Sequence, residues 1–182
     1  SKRLFGAPLE NLISEEVRVP PLLDNLITAI ELKGLYTEGI YRKSGASSKI
    51  TELKNKLEEN VDSVDLDSYS VHVLTAVLKS FLREMPNPLM TYELYDDFLW
   101  TTAISDPSER VQAIYSHITK LPKVHFDVLE RLIFHLSRVA KQESANRMNA
   151  NSLAIVFAPC ILRTDKVMQM QDKLCDISKQ TM

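Results

Sequence analysis

Arg42 and Lys43 stand side by side in Gly34-Leu35-Tyr36-Thr37-Glu38-Gly39-Ile40-Tyr41-Arg42-Lys43-Ser44-Gly45, a stretch that holds three of the chain's four glycines. Glycine lets a backbone turn sharply and approach a partner closely. Tyr36 and Tyr41 are expected to brace the loop by packing. A loop held by helices at both ends presents a charged side chain at a fixed place. A guanidinium so presented can neutralise charge on a phosphoryl group in transfer, because it is planar, permanently charged and able to bond two oxygens at once. Such an arginine is worth about 10³–10⁵ in rate, or about 4–7 kcal/mol. Lys43 is the weaker candidate, its ammonium being a point charge. A solvated Arg-Lys pair in a surface loop fits the same residues and is the commoner arrangement. The phosphate-cradling pattern GxxxxGK[ST] is absent and no strand leads into the loop. The chain is therefore not expected to hold a nucleotide unaided, and the arginine would be supplied to a nucleotide held elsewhere.

Lys79 and Arg83 form a second constellation, four residues apart and so on one face of a helix. Their stems can pack along the apolar stripe while their heads reach outward. An anionic or carbonyl-rich partner would offset their mutual repulsion; a solvated face is the plainer reading. Arg83 could also bond the backbone of a nearby loop. His72, His117, His125 and His135 form no metal-binding pair, and Cys160 and Cys175 lie fifteen apart without a CxxC. No metal site, disulfide framework or hydrolytic triad is indicated. Arg131, His135 and Arg138 read as the wet side of their helix.

The elements that must position these residues are helical. None of the four glycines follows Gly45, whereas a β-rich fold recruits glycine at its many turns. Apolar residues recur at helical spacing over 20–33, with Gly34 as the stop, over 47–60, and over 70–85, where Pro86 and Pro88 close the helix. A shorter aromatic helix is expected over 92–102. Asp106-Pro107-Ser108-Glu109 opens the next, which runs through Val111, Ile114, Tyr115 and Ile118. Pro122 starts the longest, with Phe126, Leu129, Leu132, Ile133, Leu136 and Val139 as its buried stripe. A short apolar helix spans 149–158 and is ended by Pro159, and the tail over 166–182 is weakly helical. The expectation is an all-α, single-domain bundle of about eight or nine helices over residues 1–182.

With 22 basic and 24 acidic residues, the net charge is −2, which excludes a strongly basic nucleic-acid binder. No apolar run approaches the roughly 18–20 residues that cross a bilayer, so no membrane insertion is expected. The first residues lack a secretory leader and do not begin with Met, which suggests a piece of a longer, cytoplasmic protein with reduced cysteines.

Three boxes resemble those of RhoGAP domains. The stretch from Gly34 to Gly45 is similar to GxxxEGIFRxSG. Leu78-Lys79-Ser80-Phe81-Leu82-Arg83-Glu84-Met85-Pro86-Asn87-Pro88-Leu89-Met90 is similar to LKxFLRELPEPLL. Asn146-Arg147-Met148, with Leu153-Ala154-Ile155-Val156-Phe157-Ala158-Pro159, resembles NxMxxxNLAxxFGPxL. They stand in family order and, with Phe5-Gly6 as the usual domain start, cover residues 5 to about 163. The likeness is greatest to the tail domains of class IX myosins, through Leu129-Glu130-Arg131-Leu132-Ile133-Phe134-His135-Leu136 and Phe157-Ala158-Pro159-Cys160-Ile161-Leu162-Arg163.

The resemblance implies an all-helical domain that speeds GTP hydrolysis by a Rho-family small GTPase, RhoA-like by preference. It implies Arg42 as the arginine finger, with Lys79, Arg83, Lys43, Asn146 and Ser152 binding the GTPase or supporting the finger. It implies no cofactor of the chain's own, since GTP and Mg²⁺ are held by the partner, a monomeric isolated domain without independent catalysis, and association with actin if the parent is a class IX myosin. Ser152 stands where the family has asparagine, and Ala158 and Cys160 replace the Gly and Asn of FGPN, which bears on partner contacts more than on catalysis. A serine offers one hydroxyl where an amide offers a carbonyl and an NH₂. The family's final helix is expected to be incomplete at Met182. The alternative is a non-catalytic Rho-binding or scaffold module.

Overall fold

The computed structural model describes residues 3–166, 174–175 and 177–179. Among these the secondary structure is entirely helical: α1 Pro21–Gly34, α2 Ser47–Glu59, α3 Val71–Glu84, α4 Tyr95–Trp100, α5 Pro107–Ile118, α6 Lys123–Lys141, α7 Glu143–Asn146 and α8 Ala150–Ile161, with four short 3₁₀ turns. The expected tail helix lies mostly outside the described residues; 174–175 and 177–179 are helical.

Helix α3 is the hub. Val71, Val73, Leu74, Thr75, Ala76, Val77, Leu78, Phe81 and Leu82 are all buried, the pattern of a helix enclosed on most sides. It packs against α1, α2 and α8. Ser70 caps it by accepting the amide of Val73 at 3.3 Å. At its other end Arg163 donates to the carbonyls of Arg83 (2.5 Å) and Met85 (2.8 Å), a cation placed where the helix dipole favours one. Truncating a fully buried leucine here, such as Leu74→Ala, would cost about 2–5 kcal/mol.

Several boundaries differ from expectation. Gly34 is the last residue of α1 and is not a left-handed stop; a Cβ there would lie 2.5 Å from Val71 Cγ1, so close approach of α1 to α3 is what excludes a side chain. The aromatic helix shrinks to α4, because Thr91 takes a left-handed φ of 66° and residues 92–94 do not join it. Pro159 sits inside α8 and does not end it, although it lacks the N–H that would bond the carbonyl of Ile155. On α6 the inward residues are Val124, His125, Asp127, Val128, Leu129, Leu132, His135 and Val139. Ile133, expected inside, is 51% exposed, and His135, expected on the wet side, is wholly buried. Asp127 is held by Arg18 at 2.9 Å and Lys123 at 3.2 Å. The Arg18 hydrogen bond, above all, keeps its carboxyl below the usual range.

Candidate functional site

The loop between α1 and α2 begins with a tight turn. The amide of Thr37 bonds the carbonyl of Gly34, and that of Ile40 the carbonyl of Thr37. Gly39 then takes a left-handed φ of 71°, a region open to glycine without steric cost. Its carbonyl receives both Arg42 N at 2.9 Å and Lys43 N at 2.8 Å. The stem of Lys43 folds back over it, within 2.9 Å of where a Cβ would stand.

Tyr41 also has positive φ, 70°. For a bulky residue that is an uncommon, costly conformation that persists only where the surroundings enforce it. They do: the ring is fully buried and meets Phe157 edge-on at 4.8 Å between centroids. The left-handed twist turns the chain outward directly after the anchored ring. Arg42 follows and is exposed, and its side chain has no hydrogen bond or ion pair among the described residues.

Two distant helices, α7 and α3, hold the loop backbone. Asn146, at the end of α7, accepts the Gly39 amide on its main-chain oxygen at 2.9 Å. Its side-chain amide donates to the carbonyls of Leu35 and Val139, both at 2.8 Å, and accepts from Met148 N at 2.8 Å. Lys79, on α3, donates from Nζ to the carbonyl of Tyr41 at 2.6 Å. Partial burial lowers the Lys79 pKa, opposed by Cys160 and aided by Arg83. Gly45 N bonds the carbonyl of His72 at 3.2 Å.

The expected site residues thus divide. Lys79 and Asn146 converge on the backbone that carries Arg42. Asn146 is fully buried and offers no surface to a partner. Lys43 and Arg83 are exposed, and the Arg83 side chain bonds no loop backbone among the described residues. Ser152 lies half-buried in the first turn of α8, where its amide is capped by Asn149 Oδ1 at 2.8 Å, and it does not join the loop network. Tyr36, expected as a brace, is 68% exposed; Tyr41 alone fills that role.

Two residues missed by sequence reasoning back the loop, His135 directly and Glu31 through it. His135 Nε2 lies 2.5 Å from the Tyr41 hydroxyl, and its Nδ1 lies 3.2 Å from Glu31 Oε1. A signal was present: Val128, Leu132, His135 and Val139 are spaced four, three and four residues apart, as one buried stripe requires. The described residues contain no cluster of metal-ligating side chains and no helix long and apolar enough to cross a membrane.

Residues 20–166 match the RhoGAP domain family. Unconventional myosin-IXa of Homo sapiens is 51% identical over 181 residues, which cover 100% of this chain but only 7% of that protein. Among solved structures, human Rho GTPase activating protein 15 superposes with a TM-score of 0.81 at 34% identity, over 88% of this chain and 78% of that one. The BH domain from GRAF, the GTPase regulator associated with focal adhesion kinase, gives 0.74 at 30% identity over 78% of each chain. In sequence and in helical architecture the chain belongs to the RhoGAP domain family.

Proposed function

We propose that this domain stimulates GTP hydrolysis by a Rho-family GTPase, with Arg42 entering the partner's active site as an arginine finger. The observation that carries the reading is the contrast between Arg42 and its backbone. The guanidinium is exposed and without an acidic partner among the described residues, while the loop backbone leading to it is tied to α3 at the Tyr41 carbonyl and to α7 at the Gly39 amide. By comparison, Arg18 and Arg131 are neutralised by carboxylates within 2.9 Å. An unneutralised guanidinium carried on a held backbone is available for charge that develops in a transition state.

GTP, Mg²⁺ and the residue that orients water belong to the partner, and the chain supplies charge and excludes water. Arg83 and Lys43 offer further positive charge at the docking face, and Lys79 acts mainly by supporting the finger. A RhoA-like preference rests on the likeness to a class IX myosin, as does association with actin.

In single-turnover assays against RhoA, Rac, Cdc42 and Ras, the wild-type domain should stimulate the Rho-family members, RhoA most. Arg42→Ala should lower the stimulated rate by about 10²–10⁴ with an unchanged melting temperature. Near-normal stimulation by the variant would refute the finger. Binding to a Rho GTPase with no stimulation by the wild type would favour a non-catalytic module.

A further inference from the structure

We propose that Tyr41, His135 and Glu31 form a hydrogen-bonded relay that positions the Arg42 finger, so that His135 and Glu31 are positioning residues for the reaction proposed above. The inference rests on that reading. Its elements come from three parts of the chain: Tyr41 from the loop, His135 from α6 and Glu31 from α1.

The donors and acceptors have one consistent assignment. His135 is fully buried, and burial pushes its pKa down to about 4, against the raising effect of Glu31. At neutral pH the ring therefore has one N–H. Glu31, as a carboxylate, only accepts, so Nδ1 carries the proton and donates to Glu31 Oε1 at 3.2 Å. Nε2 is then an acceptor, and the Tyr41 hydroxyl donates to it at 2.5 Å. Burial also raises the Tyr41 pKa well above its ordinary value, which keeps the phenol a donor. Glu31 is fixed in turn by Arg138 Nη1 at 3.1 Å and Arg131 Nη1 at 3.5 Å, and Arg131 is tied to Asp24 at 2.9 Å.

The geometry gives the relay its leverage. Tyr41 is the residue before Arg42 and holds a left-handed φ, and its carbonyl is already bonded by Lys79. The hydroxyl bond fixes the far end of the same residue, so the residue that launches the finger is held at its carbonyl and at its side-chain tip. The GxxxEGIFRxSG pattern has phenylalanine where Tyr41 stands. A phenyl ring there would leave the buried Nε2 unpaired, so tyrosine and histidine are required together. A shift of about 1 Å in a positioned group can cost about a hundredfold in rate; the loss expected here is smaller, because Lys79 and Asn146 still hold the backbone.

The test is single-turnover GTP hydrolysis by a Rho GTPase across a range of domain concentrations. Tyr41→Phe and His135→Leu should each lower the saturating rate by about tenfold with an unchanged half-saturating concentration. Their double variant should be no slower than either single one, since both break the same bond and the pair is then apolar. His135→Gln, whose amide oxygen can accept the hydroxyl, should recover most of the rate. Independently of activity, a long-range proton–nitrogen spectrum of the wild type should show His135 protonated on Nδ1. Saturating rates within twofold of wild type for Tyr41→Phe, losses that multiply in the double variant, or an Nε2-protonated ring would each overturn the relay. Arg42→Ala, run in parallel, separates the two ideas. If it is slow while Tyr41→Phe is normal, only the relay fails; if it is normal, the finger fails and the relay with it.

Discussion

The loop over 34–45 has little regular structure, and α5 is a well-formed α-helix, yet the loop is the more firmly held of the two. Its backbone is bonded by α3, through both Lys79 and His72, and by α7, and Ile40 and Tyr41 are wholly buried. Helix α5 has no buried residue. It is held by its Asp106 cap, by Arg110 reaching the carbonyl of Ile104 at 2.9 Å, and by an edge-on contact of His117 with Phe98. Secondary structure and anchorage are thus separate properties. A site that must present one side chain to a partner draws its rigidity from long-range bonds, whatever its local backbone class.

The sharpest way to break the contrast is at Asn146, whose side chain makes three bonds of 2.8 Å in a fully buried place. Asn146→Ala removes them and strands two carbonyls and an amide. The expected loss is about 4 kcal/mol in urea unfolding, together with a stimulated rate that falls toward that of Arg42→Ala. A loss below about 1 kcal/mol would mean the loop does not depend on this post.

Next in size is the acid limb of stability. The folded state holds His135 neutral down to about pH 4, whereas the unfolded ring takes up a proton below about 6.5. The contribution is therefore complete above pH 6.5 and lost as pH falls through 4. At full size it is about 3 kcal/mol. Asp127, whose pKa is depressed chiefly by Arg18, works in the same direction, so the measurement is a difference between wild type and His135→Gln. Wild type should lose more stability between pH 7 and 4; parallel curves would show that the imidazole is not held neutral.

At Lys79 rate and stability should separate. Lys79→Met keeps the stem's packing and deletes the bond to the Tyr41 carbonyl. It also removes a partly buried charge, which offsets the loss. Stability should change by less than about 1 kcal/mol, while the saturating rate falls by about tenfold. Weakened GTPase binding at an unchanged saturating rate would instead make Lys79 a docking residue.

Much of this was legible in the residues. The bounds of α1, α2, α3 and α6 lie within a residue or so of those read from apolar periodicity, proline and capping signals. Arg42 stood out as a cation between glycines, but a solvated loop pair fitted that spacing as well, and the likeness to the RhoGAP boxes singled it out. Asn146 was legible only as a motif position, and Lys79 and Arg83 as a shared helix face, since spacing alone does not say that Lys79 points back at a carbonyl 38 residues earlier. His135 was misread by its residue type: a histidine between two arginines looks wet, although its spacing from Leu132 and Val139 places it inside. Pro159 was misread because so near the end of a helix its missing N–H removes only one bond.

Helix α5 shows the remaining limit, and it carries the smallest prediction. Val111, Ile114, Tyr115 and Ile118 repeat at helical spacing, and the helix forms where they predict it. Periodicity encodes a face, however, and not the neighbour that would cover it. Helix α5 packs against α4 and the turn that follows it, which half-covers Ile114 and Ile118 and leaves Val111 and Tyr115 each 65% exposed. Val111→Ser and Tyr115→Ser should then change unfolding free energy by no more than about 0.5 kcal/mol each, the range for exposed surface positions. They should also leave the stimulated rate untouched, because no bond links this face to the finger loop among the described residues. A cost of about 2–4 kcal/mol, as for a buried side chain, would show that the face is covered in solution, and α5 would then be as firmly anchored as the loop.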